Sequence, residues 1–82
     1  MLGACTLHRI DPARRMARFY AMRVERDLFG AVVLVKEWGR IGARGRMVGE
    51  LHATEALAMA ALQHQAERKR RRGYQPPIVT EA

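Results

Sequence analysis

Between Met16 and Arg26 the chain alternates with a period of two, placing Tyr20, Met22 and Val24 on one side and Phe19, Ala21, Arg23 and Glu25 on the other. That is the pattern of a half-buried strand. A shorter alternation over Cys5–Ile10 predicts a first strand, which Asp11-Pro12 ends because proline cannot donate to a ladder. Ala13-Arg14-Arg15 then reads as a connecting loop. After the long strand, Asp27-Leu28-Phe29-Gly30 carries Asp and Gly at the first and fourth positions of a type I turn. The next run, Ala31 to Ile41, therefore returns antiparallel. It puts Val32, Leu34, Lys36, Trp38 and Arg40 on one side, against Val33, Val35, Glu37 and Ile41. Gly42-Ala43-Arg44-Gly45 supplies a second turn, and Met47 to His52 a fourth strand.

The period then changes. Thr54 suits an N-cap for a helix from Glu55 to about Arg72, with Leu57 standing where a complete capping box has Glu or Gln. Glu55 lies at the positive end of the helix dipole and Arg68–Arg72 at the negative end. Leu57, Ala60, Ala61 and His64 are the expected inner stripe, Gly73 the C′ stop, and Pro76-Pro77 the barrier to resumption. The expected architecture is α+β: a small antiparallel sheet of about four strands with one C-terminal helix. Residues 1–76 form one domain and residues 77–82 a loose tail.

Composition narrows the function. A chain of 82 residues buries only roughly 60–65% of its unfolded surface, which disfavours a large enclosed active site. Cys5 is the single cysteine, so no internal disulfide forms. The first residues lack the order of a signal peptide, and no run of about 18 apolar residues exists to span a bilayer. A soluble, cytoplasmic protein with no membrane partner is expected. There is no serine, the carboxylates form no obvious pair, and no phosphate-loop fingerprint is present, so no catalytic residue is assigned. Cys5, His8, His52 and His64 lack paired ligand spacing, so neither metal nor cofactor is expected.

A formal charge of +7 favours an anionic partner, nucleic acid foremost, over a small-molecule substrate. The cations are concentrated. Five form the run Arg68, Lys69, Arg70, Arg71 and Arg72, and three more fall in Trp38-Gly39-Arg40-Ile41-Gly42-Ala43-Arg44-Gly45-Arg46, which also holds the only Trp. Trp38 and Arg40 emerge on one face about 7 Å apart along the strand, so an aromatic platform and a guanidinium can meet a sugar and its phosphate together. The candidate contacts are Trp38, Gly39, Arg40, Gly42, Arg44 and Arg46, with the 68–72 run as an auxiliary phosphate surface. With no Asn, three Gln and no helix-turn-helix or metal-finger signature, structure-directed binding with little sequence selectivity is expected.

Phe19-Tyr20, Val35-Lys36-Glu37-Trp38-Gly39-Arg40-Ile41-Gly42, Thr54-Glu55-Ala56 and Arg71-Arg72-Gly73-Tyr74 together resemble the WGR domain family, in particular its small free-standing bacterial members. The resemblance covers roughly residues 5–76. In DNA-damage-dependent poly(ADP-ribose) polymerases the same module lies beside the catalytic region and binds DNA near strand breaks. The resemblance implies a twisted antiparallel sheet with a helix packed on it. It also implies DNA contact at the matching positions, Trp38 on sugar near a 5′ terminus and Arg40 in polar contact with DNA or a partner domain. No transferase domain, zinc finger or regulatory helical domain is read in these 82 residues, so the relay role is expected to transfer only if another polypeptide supplies them. Two other partner classes stay open: a protein held by the same sheet face and hairpin, and RNA engaged through Tyr20, Trp38 and the basic run.

Overall fold

The computed structural model describes residues 2–77. Four strands, β1 (Gly3–Asp11), β2 (Met16–Arg26), β3 (Val32–Arg40) and β4 (Arg46–His52), form one antiparallel sheet in the order β1-β2-β3-β4. One helix, α1 (Glu55–Arg71), crosses one face of it. The strands are those the alternation predicts, with β1 and β4 longer at their ends and Pro12–Arg14 forming a 3-10 turn rather than an open loop. The expected tail lies, apart from Pro77, outside the described residues.

The β2–β3 connection follows its turn chemistry. Asp27 Oδ1 accepts from the backbone N–H of Phe29 and of Ala31, both at 2.9 Å, and Gly30 takes φ +82°. The side chain of Asp27 thus satisfies two donors that the turn would otherwise leave to water. The resulting register sets Tyr20 opposite Trp38 and Arg18 opposite Arg40.

Leu7, Tyr20, Met22, Val24, Val32 and Leu34 make the sheet half of the core, and Ala58, Leu62 and Ala66 the helix half. The helix therefore buries a stripe different from the expected one. Leu57, Ala60 and His64 face solvent, and only Ala61 of the expected set packs against the core. The physical cause is the alanine content of α1. Alanines at 56, 58, 60, 61 and 66 occupy several faces, so hydrophobicity scarcely marks a phase, and the i, i+4 series Ala58-Leu62-Ala66 is the one packed into the core.

The helix ends behave as read. Thr54 Oγ1 accepts from Leu57 N–H at 3.1 Å. At the other end Gly73, at φ +93°, donates to Arg70 O and Tyr74 N–H to Lys69 O, the paired hydrogen bonds of a Schellman motif. That reversal drops Tyr74 into the core and lets Gln75 exchange two backbone hydrogen bonds with His8 on the free edge of β1. The helix C-terminus is thereby tied down at one end of the sheet, where the site lies.

On the sheet's other face Phe19 lies across Gly39, and the β3–β4 turn folds back against both. A Cβ on Gly39 would sit 2.9 Å from Gly45 Cα, and one on Gly45 would sit 2.3 Å from Trp38 O and 2.8 Å from Phe19 Cζ. Both positions demand glycine for room. Gly45→Ala should lower the unfolding free energy by about 1–3 kcal/mol, the usual cost of overpacking, measured by urea denaturation. An unchanged midpoint would show that the turn has slack.

Candidate nucleic-acid interface

The helix leaves one end of its sheet face uncovered, and four cross-strand neighbours set its chemistry. Leu7, Tyr20, Trp38 and Arg46 form one row across the sheet, and Arg9, Arg18 and Arg40 form the next. Tyr20 anchors the first row. It is 5% exposed, its hydroxyl accepts from Gln65 Nε2 at 3.1 Å, its ring stacks on Trp38 with centroids 6.1 Å apart, and Tyr74 meets it edge-on at 6.5 Å. Trp38 is consequently half-buried, fixed on one side by the core and open toward the end of the sheet.

The second row is electrostatically unusual. Arg9 stands opposite Arg18 and Arg18 opposite Arg40, and like charges in that relation are destabilising. Six other cations have carboxylate partners: Arg14 with Asp11, Arg23 with Glu25 and Glu37, Arg26 with Glu55, Lys36 with Glu50, and Arg70 and Arg71 with Glu67, while Arg15, Arg44, Arg68, Lys69 and Arg72 are spread over turns and the helix end. Among the described residues, none of Arg9, Arg18, Arg40 and Arg46 joins an ion pair.

Lys69 brings the helix into the same group. Its Nζ lies 4.5 Å from the centre of the Tyr20 ring and 5.2 Å from that of Tyr74, a cation held over two aromatic faces. Burial first, then repulsion from Arg72 and Arg68, push its pKa below the ordinary lysine value. A phosphate placed beside it would favour the charged form and oppose both effects. Arg18, Arg40 and Arg46 from the sheet and Lys69 from the helix surround a cleft of about 620 Å³, floored by Tyr20, Trp38 and Tyr74.

The structure sorts the residues singled out from the sequence. Trp38, Gly39, Arg40 and Arg46 line the cleft together. Gly42 and Arg44 sit in the exposed turn beyond it. Of the basic run only Lys69 lines the cleft, while Arg70 and Arg71 lie near Glu67 one helical turn back. Sequence reasoning passed over Arg9 and Arg18. The signal was present but needed the register: Arg18 is two residues from Tyr20, Arg9 two from Leu7, and only the pairing aligns both with Arg40.

A row of like charges has a measurable cost. Arg18→Gln should raise the unfolding free energy in low salt by about 0.2–1 kcal/mol, and that gain should shrink as salt is added. Thermal unfolding at two ionic strengths checks it. A loss of stability in low salt would mean that Arg18 has a favourable partner.

Comparison with known proteins bears on this geometry. The WGR domain family matches residues 3–80. The chain is 43% identical over 70 residues to a protein of Sinorhizobium fredii (strain NBRC 101917 / NGR234) named "Uncharacterized protein y4dW". That match takes in 85% of this chain and 34% of the relative, so the chain spans about a third of its length. No solved structure matches. Among the described residues no helix is long and apolar enough to cross a membrane. By the extent of its match, the chain belongs to the WGR domain family.

Proposed function

We propose that this chain is a nucleic-acid binding module that docks on DNA at ends, nicks or other places where phosphates are exposed, with little sequence selectivity. The observation that carries the reading is the aligned row Arg9, Arg18 and Arg40 beside the Tyr20–Trp38 stack, a cationic surface with no carboxylate partner among the described residues. Arginine is suited to that task because its planar fork gives paired hydrogen bonds to phosphate oxygens. The half-buried indole offers an apolar wall for a sugar, and Lys69 supplies a point charge opposite the arginines. With no helix-turn-helix or metal-finger signature to carry a reading element into the major groove, the cleft's arginines are assigned phosphate contacts of the positioning kind. In poly(ADP-ribose) polymerases WGR domains bind nucleic acid, which supports the same class of partner here.

The cleft's chemistry is that of binding. Its groups are guanidinium, ammonium and aromatic, and the reading assigns it no reaction.

A second reading, a protein-interaction adaptor, is favoured by a different surface. Leu28 and Phe29 at the β2–β3 turn are 99% and 94% exposed, and Leu51, paired with Val33 at the same end of the sheet, is also uncovered. Exposed side chains of this kind suit a protein contact. The two readings occupy separate places, so Leu28→Ser with Phe29→Ser leaves DNA affinity unchanged if the first holds.

Anisotropy titrations against nicked, blunt-ended and uninterrupted duplexes over a range of salt test the proposal. Wild type should prefer nicked and blunt-ended DNA. Arg18→Ala and Arg40→Ala should each weaken binding at least severalfold and each reduce the slope of log K against log salt by about 1. Equal and salt-insensitive behaviour of wild type and both variants would overturn it.

A further inference from the structure

Trp38 borders two recesses, and they differ in chemistry. The first is the arginine cleft. The second, of about 290 Å³, lies between α1 and the β3–β4 side of the sheet and is lined by Tyr20, Lys36, Trp38, Val48, Gln65 and Lys69. Tyr20, Trp38 and Lys69 belong to both and form the ridge between them.

The second recess holds no arginine, and its two cations are Lys36 and the shared Lys69. Lys36 already has Glu50 as its partner, and Glu50 holds its proton less tightly than an ordinary carboxyl because Lys36 donates to it. Apart from Lys69 on the ridge, the remaining walls are the aliphatic Val48, two aromatic rings and the Gln65 amide. That amide gives one N–H to Tyr20 Oη, which leaves its carbonyl oxygen and a second N–H for a ligand. An uncharged planar ring with donors and acceptors along its edge matches such a lining. In a nucleotide, one such ring is joined to a phosphate through a sugar, and the ridge at Trp38 stands where that sugar would pass.

We infer, on the nucleic-acid reading proposed above, that the recess beside Gln65 and Val48 receives an unpaired nucleobase whose own phosphate lies in the arginine cleft. A base in a duplex reaches such a recess only by leaving its stack, at a cost of a few kcal/mol. An unpaired terminal nucleotide avoids that cost. The second recess therefore makes the module selective for overhanging or frayed ends over fully paired ones. The Gln65 amide has the pattern for bidentate contact with adenine and single contacts with the other bases, so base preference is shallow.

Two ligands separate the base from the backbone. One is a duplex with a one-nucleotide overhang, tested on either strand. The other is identical except that a tetrahydrofuran residue replaces the overhanging nucleoside, which keeps every phosphate and removes the base. Wild type should bind the first about tenfold more tightly by anisotropy, within the range for one stacked base. Val48→Phe, a substitution at a 45% exposed edge position that fills the recess, should bring the ratio of the two Kd values to near one. Gln65→Ala should do so independently. Binding of both ligands by wild type with equal Kd overturns the base recess and leaves the arginine cleft standing. A preference that survives in both variants places the base elsewhere and overturns it as well. Failure of wild type to bind either ligand overturns the recess together with the nucleic-acid reading.

Discussion

Three arginines aligned across neighbouring strands repel one another, and a fold of this size has little stability with which to tolerate it. The tolerance comes from what lies one row away. Leu7, Tyr20 and Trp38 bind the same three strands through apolar and aromatic contact, with Tyr20 tied to α1 by Gln65 and to the chain reversal by Tyr74. Cohesion and repulsion are thus stacked in adjacent rows of one sheet. A polyanion relieves the second without disturbing the first.

That arrangement explains why the helix ends where it does. Gly73 and the Schellman hydrogen bonds turn the chain back so that Tyr74 packs beside Tyr20, and Lys69, one turn earlier, is left over both rings. On the other face, Phe19 against Gly39 and Gly45 brings the β3–β4 turn close to the sheet and sets where Arg40 and Arg46 emerge. The glycine beside the tryptophan is therefore steric, and the arginine after it is electrostatic.

Much of this was legible in the sequence. Alternation in β2 and β3, the Asp27–Gly30 turn and the Thr54 and Gly73 caps are local features with local causes, and the structure contains each of them. The helix's buried stripe was not legible, because alanine on several faces blurs the periodicity, and only the packed structure separates the buried Leu62 from the exposed Leu57. The site divides in the same way. Trp38, Arg40 and Arg46 belong to one hairpin and could be found by reading along the chain. Arg9 and Arg18 join them through pairing between strands, and Lys69 separates from Arg70 and Arg71 only once the helix has a fixed rotation.

The central claim is that the unpaired arginine row exists to meet a polyanion, and the side-chain signals report on it directly. A titration of labelled protein with nicked duplex, followed by the Nε–H resonances of arginine and the indole N–H of Trp38, reads every arginine of the row and the indole at once. The account predicts that Arg9, Arg18, Arg40, Arg46 and Trp38 shift together at one stoichiometry, while Arg23 and Arg26, paired elsewhere, stay in place. Shifts confined to Arg68 and Arg70–Arg72, with the row and the indole unmoved, would contradict it.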